Sequence, residues 1–256
     1  MLAGFACRRE HGQVFSVADV LSITAHRPWE LPSGPWIMRQ RWSDLLFAHW
    51  PVPAEHLRPL VPNALELDTF DGLAYVSVTP FILRIQPRCF PPSRPFPEMN
   101  CRTYVRFGGK PGIFFFSLDA ASISAVKGAR FAYRLPYFHS KMRAASVGEA
   151  IAYSSHRSSG KAGFQAEYGP TGPVQLAAPG TLEHWLTERY CLYTVAGRTV
   201  YRAEIHHVPW PLQAASCHIV ENTVPAAAGI RLPDRPSLVQ FVRRLDVLIW
   251  PLRRTL

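Results

Sequence analysis

The chain has 256 residues and combines 48% hydrophobic residues with only 18% charged residues. This composition supports a large core and excludes disorder over most of the chain, because disordered chains are poor in hydrophobic residues. The formal net charge of +10 comes mainly from arginines scattered along the chain, and a basic protein without a basic segment argues against nucleic-acid binding.

The cysteines and the apolar segments indicate the class of protein. The five cysteines form no CxxC pair, and their odd number argues against a disulfide framework or a zinc knuckle. No apolar run approaches the roughly 20 residues that a membrane-spanning helix needs, and the N-terminus lacks the basic region of a signal peptide. We therefore expect a soluble, cytoplasmic protein that does not contact a membrane.

Residues 1–34 lack a sustained hydrophobic period and are predicted to form a poorly ordered extension, whereas 35–256 form a single domain. The first half of this domain is predicted to contain a strand, a short helix and then two strands joined as a hairpin: 36–42, 52–60, 65–70 and 73–83. The hairpin turns at Asp71-Gly72, a dipeptide that favours tight turns. A proline-dense loop follows, and its restricted backbone favours a stiff flap.

The second half is predicted to contain more hairpins and a few helices. Strand pairs turn at glycines in the segments 100–120 and 191–208. The best helical pattern covers 121–133, with Ile123, Val126, Ala129 or Arg130, and Phe131 approximating one face. Thr181 is a candidate cap of a short helix. The segment 236–250 is ambiguous, and one interpretation is a helix from Pro236 followed by a last strand. Many short hairpin strands with few helices predict an α+β, mainly β fold: an antiparallel, nearly closed β-barrel with short flanking helices.

Two arginines and a tyrosine share one face of the predicted strand 100–107. Side chains alternate along a strand, so Arg102 and Tyr104 point to the same side. If that side faces solvent, both groups are simply hydrated. If it faces the interior of a barrel, both are buried donors that require an anionic or carbonyl partner, because leaving such groups unpaired is costly. Glu98, just upstream, is a candidate for that partner or for a proton carrier.

The segment 135–142 places three titratable side chains, Tyr137, His139 and Lys141, on one side of an extended chain. They are candidates for an acid, a base and a nucleophile, since a desolvated lysine can form a Schiff base. The alternative for Lys141 is a solvated lysine near the end of a strand.

Adjacent histidines argue against a metal site. His206 and His207 are neighbours on a predicted strand and project to opposite faces, so they are not expected to share an ion. We predict neither a metal nor a cofactor, and the motifs of common hydrolases, metalloproteases and nucleotide-binding proteins are absent from the sequence. His207 and His49 are candidates for a pocket, with a histidine hydrogen-bonded inside the core as the alternative.

Six separated segments resemble the YqjF-like family of bacterial proteins, a domain of unknown function related in fold to acetoacetate decarboxylase: RQRWSDLLFAHWPV, FPEMNCRTYV, FFFSLDA, LPYFHSKM, PGTLEHWLTERYCLY and EIHHVPWPL. The resemblance runs from about Ile37 to Leu252 and implies a strand-rich barrel with short flanking helices. The decarboxylase relatives form a Schiff base on a lysine that follows a proline, but Tyr137 follows Pro136 here and Lys141 lies four residues further on. Glu98 matches a pocket glutamate of those relatives.

We therefore expect a barrel that binds a small carbonyl or carboxylate compound, with or without turnover. The candidate site residues are the ligand-binding Arg102, Tyr104, His49 and His207 and the catalytic Glu98, Tyr137, His139 and Lys141. Two alternatives are a Schiff-base enzyme that uses Lys141 and a nonenzymatic interaction protein with a basic surface. A homo-oligomer is compatible with the sequence, which does not determine the oligomeric state.

Overall fold

The structure is a computed structural model and describes residues 15–255. Residues 1–14 of the predicted extension lie outside the described residues. In the remainder of that segment, helix α1 (Val17–Ser22) begins after Ser16, whose hydroxyl accepts a hydrogen bond from the backbone of Asp19. Val20 of α1 is fully buried against the strands, and the predicted domain boundary near residue 34 stays a prediction.

Strands dominate the fold. Within 15–255 they are β1 Met38–Pro53, β2 Glu66–Leu67, β3 Leu73–Pro87, β4 Phe96–Phe107, β5 Lys110–Ala120, β6 Tyr137–Val147, β7 Ala150–Arg157, β8 Gly163–Pro170, β9 Cys191–Ala196, β10 Thr199–His206, β11 Gln213–Asn222, β12 Leu238–Ile249 and β13 Arg253–Arg254. The other helices of this part are α2 Ala54–Leu57, a 3-10 turn Arg58–Leu60, α3 Ile123–Tyr133, α4 Leu182–Thr187 and α5 Val224–Ala227. No helix of the described residues is long and apolar enough to span a membrane.

The strands form one sheet that closes on itself twice. Their order is β13-β10-β9-β5-β6-β7-β8-β11-β12-β1-β3-β4-β2, and additional pairings join β10 to β12 and β4 to β5. Two rings result, and both contain β1, β3, β4, β5 and β12. The first ring is completed by β6, β7, β8 and β11, and the second ring by β9 and β10. The predicted mainly β, nearly closed barrel is thereby confirmed. The sheet is mixed, however, because β5 pairs in parallel with β6 and β9, and the helical crossover α3 between β5 and β6 permits this arrangement.

Alternating side chains divide the interior between the two rings. Leu46, Ala48 and Trp50 of β1 point into the ring completed by β6, β7, β8 and β11, where they pack against aromatic side chains such as Phe164. Phe47, between them in sequence, points into the ring completed by β9 and β10. The first ring is filled by side chains, and the second contains a cavity.

Two predicted elements differ from the structure. Asp71 and Gly72 have the positive φ values of a tight turn, 49° and 79°, but β2 pairs with β4, so the predicted hairpin between 65–70 and 73–83 is wrong beyond its tip. The helix expected from Pro236 is also wrong, because β12 is extended throughout. Strand β12 pairs with β1, β10 and β11 and is largely buried. Its sequence therefore lacks the alternation of polar and apolar residues by which a strand with one exposed face is recognised.

Candidate functional site

The second ring, built from β1, β3, β4, β5, β9, β10 and β12, encloses a cavity of about 580 Å³. Helix α3 and the proline-dense loop between β3 and β4 contribute residues to its rim. The volume lies within the range of about 300–1,000 Å³ that is typical of small-molecule sites. Most of the wall is apolar, with side chains that include Trp42, Leu45, Phe47, Phe81, Ile85, Phe96, Ile113, Phe115, Leu118, Leu192, Ile205 and Ile249.

Two β-bulges decide which side chains face this cavity. In β1 the lining residues change from even to odd positions, from Trp42 to Leu45, across Asp44, which has a φ of 50°. In β5 the register against β4 shifts so that Arg102 lies opposite Phe115, and the lining residues change from Phe115 to Leu118. A bulge inserts an extra residue and re-aims the side chains that follow.

A row of polar side chains lies on β4. Glu98, Asn100 and Arg102 occupy alternate positions and therefore share the face that lines the cavity. Thr79 lies opposite Asn100 on β3 and lines the cavity as well. All four are buried, so the position of Arg102 matches the interior alternative that the sequence left open.

Glu98 and Tyr137 form a hydrogen-bonded pair. The Tyr137 hydroxyl donates to Oε1 of Glu98 at 2.9 Å, and Oε2 of Glu98 has no partner among residues 15–255. Burial raises the pKa of Glu98 to about 8; the hydrogen bond from Tyr137 lowers this pKa, and the charge of Asp119 raises it. Burial, followed by the charge of Glu98, raises the pKa of Tyr137 well above its usual value. Glu98 is therefore mainly protonated at neutral pH and can donate a proton.

Arg102 is a buried cation without a carboxylate partner in the described part of the chain. Its exposure is 5%, its Nε has no hydrogen-bond partner among residues 15–255, and its guanidinium carbon lies 5.0 Å from the centroid of the Phe47 ring. Other arginine side chains with little exposure are paired: Arg157 donates to both carboxylate oxygens of Asp119 at 2.7 and 2.9 Å. Because buried charges are normally paired, Arg102 is suited to hold an anionic group that enters the cavity.

Unpaired polar atoms are concentrated at this cavity. Five lining residues carry a buried side-chain atom that has no partner among residues 15–255: Thr79 Oγ1, Glu98 Oε2, Asn100 Oδ1, Arg102 Nε and Tyr133 OH. Most buried polar groups in folded proteins have a hydrogen-bond partner, so several exceptions around one cavity point to a site that binds polar groups of a ligand. Burial also raises the pKa of Tyr133 to about 12, which keeps its hydroxyl a donor.

Tyr104 and His49 lie behind the cavity wall. The hydroxyl of Ser77 is 2.7 Å from the Tyr104 hydroxyl and 2.7 Å from Nδ1 of His49, and both side chains are fully buried. Burial and the nearby charge of Arg102 lower the pKa of His49 to about 3. The neutral imidazole stacks on Phe47, the ring that also contacts Arg102. Neither Tyr104 nor His49 lines the cavity, and their contact with a ligand stays a prediction.

The other candidate residues lie away from the cavity. Strand β6 pairs with β5 only over 137–139 and then follows β7, so Tyr137 lines the cavity while Lys141 is exposed. Nδ1 of His139 is 2.9 Å from the hydroxyl of Ser158. His207 is buried, stacked on Tyr190 and packed against Trp210, and it does not line the cavity. Their functional roles stay predictions. Among residues 15–255 no group of three or more potential ligands is arranged to hold a metal.

Sequence reasoning missed Thr79, Asn100, Tyr133 and most of the inner face of α3. Of the predicted face, Val126 is buried and Ala129 lines the cavity, but Ile123 and Phe131 are 54% and 91% exposed. The small residues Ala125, Gly128 and Ala132 line the cavity as well. The helix covers a cavity instead of filling a core, so its inner face requires small side chains. The recurrence of alanine and glycine at helical spacing was the available signal.

The family model DUF2071, described as an uncharacterised conserved protein, matches residues 39–246. The chain belongs to the DUF2071 family. This DUF2071 protein is 50% identical over 230 residues to the uncharacterised protein YqjF of Bacillus subtilis (strain 168), and the match covers 88% of the chain and 95% of that relative. The predicted membership of the YqjF-like family is confirmed.

Solved structures share the fold of this DUF2071 protein at low sequence identity. Acetoacetate decarboxylase from Legionella pneumophila superposes with a TM-score of 0.58 at 13% identity, covering 96% of this chain and 98% of that one. The enduracididine biosynthesis enzyme MppR complexed with pyruvate gives a TM-score of 0.56 at 12% identity, with coverages of 88% and 91%. MppR complexed with the condensation product of pyruvate and imidazole 4-carboxaldehyde gives a TM-score of 0.60 at 10% identity. The match covers 87% of this chain and 90% of that one. The DUF2071 protein therefore has an acetoacetate decarboxylase-like fold.

Proposed function

We propose that this protein binds a small carbonyl or carboxylate compound in the cavity of the second ring. The observation that carries the proposal is Arg102, a buried guanidinium that lines the cavity without a carboxylate partner in the described part of the chain. A carboxylate is the group that best matches a guanidinium, because it accepts two parallel hydrogen bonds. MppR, which shares the fold, was solved in complex with pyruvate, and this supports the same class of ligand.

The neighbouring polar groups have complementary roles in this proposal. Asn100 and Thr79 provide further hydrogen-bonding atoms next to the carboxylate. Protonated Glu98 donates from its free Oε2 to a carbonyl oxygen of the ligand, while Tyr137 holds the other carboxyl oxygen. As an enzyme, the protein would use this carboxyl–phenol pair to exchange a proton with the bound carbonyl compound, because a carboxyl group with a pKa near the working pH is suited to general acid–base catalysis.

A test uses 3-oxo acids of increasing length and their methyl esters. We expect the acids to stabilise the full chain against thermal unfolding and the uncharged esters to do so much less, since only the acids can pair with Arg102. At ten times Kd a ligand adds about 1.4 kcal/mol, which corresponds to a rise in Tm of roughly 3–6 °C for a protein of this size. Equal shifts with acid and ester, or no shift with any acid, would contradict the proposal.

The Schiff-base alternative lacks a lysine at the cavity. All four lysines lie within the described residues; none of them lines the cavity, and Lys141 is exposed. We expect borohydride treatment in the presence of acetoacetate to leave the intact mass unchanged. A reduced adduct that maps to Lys141 and disappears in Lys141→Arg would instead establish the Schiff-base mechanism. The basic-surface alternative rests on composition alone and stays a prediction.

A further inference from the structure

The cavity is long in the direction of the strands. Strand β1 lines it from Met38 to Phe47, and β3 lines it from Thr79 to Pro87. At about 3.3 Å per residue, these segments extend over roughly 25 Å. A ligand that follows the cavity therefore has an extended shape.

The polar row of β4 lies at one end of this length, and the remaining wall is mainly apolar. Its other polar lining residues include Ser93 of the loop, Ser122 and Ser124 at the start of α3, and Tyr133. Arg102, Asn100 and Glu98 lie at one end, and the strand register places Phe96 and Leu83 further along, on the side of Ile85 and Met38. The polar end is deep, with Arg102 5% exposed, whereas the apolar end reaches exposed prolines of the loop between β3 and β4. A ligand is thus expected to have a polar group at its inner end and an apolar body towards the mouth.

The residues at the mouth fit an apolar body. Gln40, a polar side chain in this part of the wall, already accepts a hydrogen bond from the Trp42 indole at 2.8 Å. On α3, Ala125, Gly128 and Ala129 leave room between the helix and the strands. Apolar walls around an open volume gain free energy when an apolar ligand excludes water from them.

The volume excludes a very small ligand as a good fit. About 580 Å³ lies within the range of about 300–1,000 Å³ that is typical of sites for drug-sized ligands. Pyruvate or acetoacetate would fill less than half of this space and leave most apolar walls in contact with water. A ligand that fills it combines a carboxylate with a considerably larger apolar part.

We infer that the ligand is an amphipathic carboxylate whose acid group binds Arg102 and whose alkyl or aryl-alkyl body, on the order of ten carbon atoms, lies along the apolar length of the cavity. The inference rests on the proposed function, since it names the substrate class of the same site. A carbonyl group near the acid end would lie within the polar row that contains Glu98 and Asn100.

Isothermal titration of the full chain with straight-chain alkanoates tests this ligand class. We expect Kd to fall about fourfold per added methylene group from butanoate to decanoate, measured below micellar concentrations, because each methylene leaves water for an apolar wall. Butanoate and decanoate binding within twofold of each other would overturn the inference and leave the proposed function intact. Binding of none of the acids would overturn both, and binding of decanol as tightly as decanoate would overturn the assignment of the acid group to Arg102.

A variant of α3 gives an independent measurement. Ala129→Trp should fill the space along the helix and weaken decanoate binding about 15- to 60-fold while leaving butanoate unchanged, since two or three methylene groups lose their place. Lys127→Trp is the matched control, because Lys127 is exposed on the same helix and does not line the cavity. Equal weakening of both acids, or of neither, would overturn the inference. Ala129→Leu serves as a smaller replacement if the tryptophan variant does not fold.

Discussion

Replacing Arg102 by methionine is expected to weaken the binding of carboxylates by about 100-fold or more while leaving the protein at least as stable as the wild type. Charge-assisted hydrogen bonds contribute about 1.5–3 kcal/mol each, so the loss of a two-pronged contact is large. In the protein without ligand, however, the guanidinium is a buried charge without a carboxylate partner in the described residues. Methionine has a similar length and no charge to bury, so the free energy of unfolding should rise, by about 1 kcal/mol.

The same substitution at Arg157 is the matched control. The side chain of Arg157 is only 7% exposed, but it holds the fully buried carboxylate of Asp119 with two hydrogen bonds. Arg157→Met leaves that carboxylate uncompensated and should cost about 3 kcal/mol. Urea unfolding of both variants, together with titration of the ligand, provides the comparison. If Arg102→Met destabilised the protein as much as Arg157→Met does, Arg102 would be a structural residue and the proposed site would lose its main support.

Glu98→Gln is expected to change the dependence of stability on pH. Burial raises the pKa of Glu98 from 4.5 to about 8, so between these two values the unfolded chain releases a proton that the folded protein retains. Below pH 4.5 the contribution of Glu98 to stability is fully present. As pH rises from 4.5 to about 8, this contribution falls by up to about 1.4 kcal/mol per pH unit, and it is lost once pH has passed the pKa of the folded protein. Glutamine has no such contribution and can still accept the hydrogen bond from Tyr137. The variant should therefore become progressively more stable than the wild type up to about pH 8.

The difference between the two proteins is the quantity to measure. Burial lowers the pKa values of His49 and His207 to about 3, and these histidines make the protein more stable as pH rises over the acidic range. Their effect is opposite to that of Glu98, but it cancels when the variant is subtracted from the wild type. Glu55→Gln, at an exposed position, is the control and should follow the wild type. A constant difference between pH 5 and 8 would show that Glu98 is ionised in the folded protein.

Local chemistry explains the elements that the sequence predicted correctly. Gly108 and Gly109 adopt positive φ values of 57° and 75° between β4 and β5, and Gly197 does so between β9 and β10. These turns need few distant contacts, so they are readable from neighbouring residues. The extent of helix α3 was predicted closely, and Ser122 is its N-cap in the structure. The predicted inner face was right at Val126 and Ala129 and wrong at Ile123 and Phe131.

Distant contacts explain most of what the sequence could not show. Strand β12 was ambiguous because its burial between several strands hides the alternation of side chains. The bulge at Asp44 and the register shift in β5 change which residues face the cavity, and no local pattern marks either of them. Lys141 shares a face with Tyr137 in sequence, yet β6 pairs with β5 over only three residues, and Lys141 lies beyond them.

At the cavity, too, some features could be predicted from neighbouring residues and others depended on distant contacts. Alternation along the predicted strand 100–107 placed Arg102 and Tyr104 on one face, because the period of a strand is two residues. Glu98 joins this face because β4 begins at Phe96 in the structure, before the predicted start of the strand. Whether that face meets water or a closed interior depended on the pairings of β5 with β9 and of β10 with β12, which close the second ring. These pairings join residues far apart in the chain, and only they convert a row of polar side chains into a buried, unpaired set. The sequence thus determined the chemical groups and their spacing, and the tertiary structure decided that these groups line a cavity.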